Sequence, residues 1–176
     1  MKIDRVVTGY LEENCYVLTI NNKSLVIDPG DDYHLIKEKI GNNEVIGILL
    51  THNHFDHIGA VEEIKKEYNI EVYSYKNLKE GNINIDIFSF EVIYTPGHTG
   101  DSICFYFSKE KIMFTGDFLF KESIGRWDLE TGNYNDMKES INKIKEYSDD
   151  IIIYPGHGDE TNLLYEKNNN RYLFTN

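Results

Sequence analysis

The stretch GILLTHNHFDHIGA, residues 47–60, decides the reading of this chain. Its first half is an apolar run of strand composition, and its second half passes into an amphipathic helical pattern. Between the two stand His52, His54, Asp56 and His57, all of them metal-ligand residue types. His52 and His54 lie two apart, so in an extended segment their imidazoles project to the same side and can share one ion. Asp56 and His57 fall where the chain turns into the helix, so they point elsewhere and can serve a neighbouring ion.

Three more places repeat the arrangement of an apolar run followed by a ligand. FEVIYTP leads into Gly97-His98, KIMFT into Gly116-Asp117, and DIIIYP into Gly156-His157. Strand ends followed by loops are where a rigid scaffold presents reacting groups. The glycines at 97, 116 and 156 would let the backbone bend sharply before each ligand. Five of the six histidines are thereby used, and the sixth, His34, sits on an amphipathic segment and reads as a surface residue.

Seven candidate ligands are too many for a single zinc, which normally takes four. If Asp117 bridges, the count divides evenly. One site then has His52, His54, His98 and Asp117, and the other has Asp56, His57, His157 and Asp117. Asp56 and Asp117, the carboxylates of the set, are the expected catalytic residues. The expected cofactor is a pair of divalent ions, zinc first, with iron or manganese suited to the same donors.

Strands are expected at about 14–20, 24–28, 45–51, 70–74, 90–95, 102–107, 111–115 and 150–154, by their content of Val, Ile, Tyr and Phe. Helices are expected at 33–40, capped by Asp32 and stopped at Gly41; at 57–68; and at 136–147, capped by Asn135 or Asp136. One short helix is expected after Asp159. Two groups of strands, each followed by helical material, suggest two sheets with helices packed outside them. The 176 residues fit one domain, 1–176, with no repeat or linker.

Composition is ordinary for a globular protein, at 40% hydrophobic and 13% aromatic. Thirty acidic residues against 18 basic ones give a net charge of -12, which repels a phosphate backbone. No nucleic-acid partner is expected, and no apolar run is long enough to span a membrane. The charged, alternating N-terminus does not read as a secretory signal, so the expected location is the cytoplasm. Cys15 and Cys104 lie inside apolar runs and read as packing residues, not a disulfide.

THNHFDHIGA resembles the T-H-x-H-x-D-H signature of the metallo-β-lactamase superfamily. The resemblance continues in order through TPGHTGDSICF, FTGDFLF, SIGRWDL and YPGHGDET, from about Asn14 to about Thr161. It is nearest to the glyoxalase II-like hydrolases of the short bacterial type. It implies an α/β fold, the four-layer αβ/βα sandwich, with metals at the edge where the sheets meet, and the same division of ligands. It also suggests that Asp28, in LVIDPG, orients metal ligands from behind; the other reading of Asp28 is an Asp-Pro-Gly turn residue. His157 is followed by Gly158-Asp159 where classical glyoxalase II has a glutamate-tyrosine pair. The sequence also stops before the helical domain that holds glutathione in those enzymes. Aspartate at 117, where zinc β-lactamases usually carry cysteine, speaks against antibiotic hydrolysis.

The implied activity is a dinuclear metallo-hydrolase, a thioesterase of the hydroxyacylglutathione hydrolase kind. It would act by attack of a metal-bridging hydroxide on an acyl thioester. The expected partner is a small-molecule thioester, and the expected state a monomer or small homo-oligomer. Arg126 would hold a substrate carboxylate or brace its loop against Asp128, the second being favoured; Trp127 is read as packing. The alternative is a mono-iron persulfide dioxygenase of the same fold. In those enzymes the last histidine tends to follow Pro-Ala, whereas here it follows Pro155-Gly156.

Overall fold

The computed structural model describes residues 1–174. A first sheet has five strands in the order β1 (Lys2–Thr8), β2 (Glu13–Ile20), β3 (Lys23–Ile27), β4 (Glu44–Leu49) and β5 (Val72–Tyr73). A second sheet is built from β6 (Gly81–Ile85), β7 (Phe88–Tyr94), β8 (Ile103–Phe107), β9 (Ile112–Gly116), β12 (Ile152–Pro155) and β13 (Thr161–Asn162). A small hairpin, β10 (Leu119–Phe120) with β11 (Ser123–Ile124), follows β9. The helices are α1 (Tyr33–Ile40), α2 (Phe55–Ile58), α3 (Val61–Tyr68), α4 (Tyr134–Lys145) and α5 (Leu163–Asn169).

Period-two alternation builds the layers. On β2, Tyr16 and Leu18 turn inward to meet Phe90, Phe105 and Phe114 of the second sheet. Cys15 and Val17 turn outward beneath α1 and α3, where Ile36, Ile40 and Ile64 cover them. On β9, Phe114 faces the other sheet, while Met113 faces Met137, Ile141 and Ile144 of α4. Burying each such side chain contributes about 1.5–3 kcal/mol. The outcome is the four-layer αβ/βα sandwich expected from the sequence.

Strand direction then places the site. β3 and β4 pair in parallel, with α1 as the crossover that parallel pairing requires. β7 and β8 are antiparallel, as are β8 and β9, and β9 pairs in parallel with β12. So β7, β9 and β12 all end at one edge, and the segments after them carry His98, Asp117 and His157 there.

Several expectations need correction. Asp32 stands at the N-cap position of α1 as expected, but with φ of 47° in the left-handed region its side chain makes no capping bond, and its carboxylate instead accepts from the Gly9 amide at 2.9 Å. α4 is capped by Asn133, not Asn135 or Asp136; its Oδ1 accepts from the amides of both of those residues, at 2.8 and 3.2 Å. The helix expected over 57–68 is interrupted at Gly59-Ala60, where the Ala60 amide donates to Pro29 O at 3.0 Å. β1 and β6 are strands that composition did not suggest, because KIDRVVT opens with charges and GNINI is rich in Asn and Gly.

Candidate metal centre

The end of β4 delivers His52 and His54, and α2 starts at once to deliver Asp56 and His57. Together with the three candidate ligands from the second sheet, they converge. The ligand atoms of His52, His54, His98 and Asp117 lie within 4.8 Å of one another, and so do those of Asp56, His57 and His157. Asp117 joins the two groups: Oδ2 lies 3.5 Å from His98 Nε2, while Oδ1 lies 3.3 Å from His57 Nε2 and 3.6 Å from His157 Nε2. Asp56 Oδ2 is 3.2 Å from His157 Nε2.

The rings are held from behind. His57 Nδ1 donates to Asp28 Oδ2 at 3.1 Å, His98 Nδ1 to the Arg126 carbonyl at 2.7 Å, and His157 Nδ1 to the Leu11 carbonyl at 3.1 Å. Tying Nδ1 in this way aims Nε2 at the centre, the usual means of orienting a metal-binding imidazole. His54 is the exception, since its Nδ1 faces His98 Nε2 at 3.0 Å. Asp28 also accepts from the Thr51 amide at 2.7 Å and the Thr51 hydroxyl at 2.5 Å. Asp28, His52 and His57 form a third group close enough to hold an ion; there the Asp28 oxygens are already engaged by Thr51 and by His57 Nδ1.

A test of fit comes from buried atoms without partners. Among the described residues, His52 Nε2, His57 Nε2 and Asp117 Oδ1 are buried and make no hydrogen bond. Each such group would cost about 1–3 kcal/mol, and divalent cations held in the two groups would satisfy all three. The residues therefore fit the metals.

Electrostatics agree. Burial, reinforced by the charge of His57, holds His52 well below the ordinary imidazole range, which keeps its lone pair free. Burial also pulls His57 downward, but the nearby Asp117 carboxylate and the hydrogen bond to Asp28 outweigh it and the ring sits well above that range. Burial works to raise Asp117, yet the His57 imidazole 3.3 Å away prevails and holds the carboxyl far below the usual range. The field at this place favours positive charge.

Gly156 acts differently from expectation. It has no left-handed φ, and what it provides is space: a Cβ there would come 2.5 Å from Asp117 Oδ1 and 2.7 Å from His57 Cε1. Gly97 and Gly116 do take positive φ, at 148° and 50°. Arg126 forms a two-point pair with Asp128, at 2.8 and 2.9 Å, which is the bracing arrangement favoured from sequence. Trp127 packs against Tyr134 and Tyr172. The ligands open into a cavity of about 530 Å³, walled by Leu11, Phe55, Arg126 and Leu129.

Residue types alone did not single out Thr51, Glu13 or Asn14. Thr51 directly precedes the histidines and was open to notice. Glu13, fully buried with Oε1 3.8 Å from His57 Nδ1, gives no local signal.

The pattern of the metallo-beta-lactamase superfamily matches residues 8–82 and 78–157. A probable metallo-hydrolase of Bacillus subtilis, YqgX, is 32% identical, with 98% of each chain covered. The hydroxyacylglutathione hydrolase GloC of Haemophilus influenzae is 31% identical, again over 98% of each chain. Among solved structures, the BLEG-1 B3 metallo-beta-lactamase superposes with a TM-score of 0.92 at 31% identity, covering 99% of this chain and 100% of that one. With this fold, these His and Asp groups and these relatives, the chain belongs to the metallo-beta-lactamase superfamily and is a metal-dependent hydrolase.

Proposed function

We propose that the protein hydrolyses an acyl thioester of a small thiol, of the hydroxyacylglutathione type, at a pair of divalent ions. The observation that carries this reading is Asp117, whose two oxygens face the two separate histidine groups. His52, His54 and His98 would hold one ion and Asp56, His57 and His157 the other, with Asp117 shared. Ions so held supply an acidified water and a Lewis acid for the acyl carbonyl, chemistry suited to a thiolate leaving group.

The chain's own residues do the rest. Asp28 and the Leu11 and Arg126 carbonyls fix His57, His157 and His98 in orientation. Leu11, Phe55 and Leu129 give the cavity apolar surface against which the acyl group would pack. Arg126, already paired with Asp128, keeps its loop in place and carries the carbonyl that His98 requires. The thiol carrier is proposed only as a small thiol. The resemblance to GloC supports glutathione as the first one to try.

The test is a turnover panel on protein loaded with zinc, iron or manganese, with metal per chain measured. Substrates are S-lactoylglutathione, an acyl thioester of another small thiol, a persulfide with oxygen uptake recorded, and a β-lactam. Two ions per chain with thioester cleavage is the expected result. One ion per chain with oxygen consumption on the persulfide would establish the dioxygenase reading instead. Cleavage of the β-lactam alone would align the activity with that named for BLEG-1.

A further inference from the structure

The four residues Pro155, Gly156, His157 and Gly158 form the turn that presents His157, and this turn belongs to the second sheet. Its hydrogen bonds, however, come largely from the first. Asn14, at the start of β2 and only 2% exposed, donates from its backbone amide to Gly156 O at 2.7 Å. Its side-chain Nδ2 donates to Pro155 O at 3.0 Å and to Gly158 O at 2.9 Å. Both partners are carbonyls, so only the amide nitrogen can face them, and both of its protons are used. Tyr16 adds a bond to Pro155 O at 2.6 Å and Arg5 one to Gly158 O at 3.1 Å. An isolated backbone bridge between Glu13 and His157 completes the seam.

The geometry has a specific consequence. Asn14 holds the carbonyls on either side of His157 toward itself, so the turn between them carries the imidazole the other way. The ring then reaches Asp56 and Asp117, with Nε2 at 3.2 and 3.6 Å. None of these bonds touches His52, His54 or His98. His52 is held by the Thr51 hydroxyl and His98 by the Arg126 carbonyl, while His54 faces the His98 ring.

We infer that Asn14 is a positioning residue for one half of the centre only, setting the affinity of the ion at Asp56, His57 and His157 and leaving the other ion unaffected. The inference rests on the two-ion reading above. It means that the ion at Asp56, His57 and His157 is gated by the docking of one sheet's first hairpin on the other sheet's last loop. Asn14 itself touches neither substrate nor ion.

The experiment is titration of metal-stripped protein with Zn²⁺, and with Co²⁺ for its absorption spectrum, against a competing chelator. Wild type is compared with Asn14→Asp, which keeps the side-chain shape but removes both side-chain donors. The expected result is one ion of unchanged affinity and the other weakened by roughly 10- to 100-fold, the usual effect of losing a partner behind a metal ligand. Far-UV circular dichroism and thermal melting establish that the variant is folded. Should Asn14→Asp not fold, Asn14→Ser retains one donor and is read in the same way, with a smaller loss confined to one ion. Two ions of native affinity in a folded variant, or equal weakening of both, would overturn the assignment. Wild type that takes up a single ion would instead overturn the two-ion reading, and the half-site role would fall with it.

Discussion

Asp28 Oδ2 lies 3.1 Å from His57 Nδ1 and 2.5 Å from the Thr51 hydroxyl, so one carboxylate oxygen serves both the strand end and the imidazole. Asp28 takes φ of 46°, a left-handed conformation that Asp and Asn tolerate better than other side chains. Asn is therefore a fair structural replacement, and its effect isolates the hydrogen bonding. With an amide nitrogen in place of Oδ2, the group facing His57 becomes a donor. His57 would then have to move its proton from Nδ1 to Nε2, the atom aimed at the metal. Asp28→Asn is expected to fold and to lose roughly 10- to 100-fold in metal affinity; chelator competition measures it, and unchanged affinity would contradict the role given to Asp28.

The cap of α4 gives a stability prediction away from the chemistry. Asn133 Oδ1 accepts from two otherwise free amides, those of Asn135 and Asp136. Asn133→Ala removes the acceptor and should destabilise the fold by about 1 kcal/mol, lowering the melting temperature by roughly 2–4 °C. Metal binding should not change. A melting temperature equal to that of wild type would show that the cap contributes nothing measurable.

The convergence of the candidate ligands is legible because its signals are local: each group of histidines and aspartates follows a run of strand composition, and strand ends face one edge of the fold. The inner and outer faces of β2 and β9 were equally legible from alternation. What holds the ligands was not. Asn14 meets the His157 turn across more than 140 residues of sequence, and no pattern near either one announces the other. Leu11 and Arg126 act through carbonyls, which every residue type carries. Asp32 takes the N-cap position that its residue type suggests, while a tertiary partner, the Gly9 amide, claims the carboxylate that would have made the capping bond. Gly156 was read as a hinge; only packing reveals that it clears space for Asp117 and His57.

Cys15 and Cys104 are fully buried and unpaired, on the outer faces of different sheets. Burial pushes the Cys104 thiol up to about 12 and raises Cys15 well above the ordinary thiol range. An unfolded thiol ionises near about 8.5. Between that pH and about 12 the folded chain binds more protons at Cys104 than the unfolded chain does, so stability declines as pH rises through this window. A thiol reagent at pH 8 should label neither cysteine in native protein and both after denaturation. Rapid labelling of the native protein would show that one of these strands opens to solvent.

Gly156→Ala tests how closely the two metal groups must approach. The added methyl would sit 2.5 Å from Asp117 Oδ1 and 2.7 Å from His57 Cε1, both well inside van der Waals contact. Backbone strain is not at issue, since Gly156 does not adopt a positive φ. Its amide bond to Gly116 O, at 2.8 Å, is also available to alanine. The clash must therefore be relieved by moving Asp117, His57 or the turn that carries His157. Each of these movements changes the distances between Asp117 and the histidines around it. A displacement of about 1 Å at a reacting centre costs roughly 10²-fold in rate. The variant should retain the far-UV spectrum of wild type while its turnover falls by about that factor. On the proposed two-ion reading, the displaced groups sit on the His57 and His157 side, so the ion there should weaken more than the other. Wild-type turnover with two tightly held ions would mean that the ligands have slack at this point and that Gly156 has another purpose.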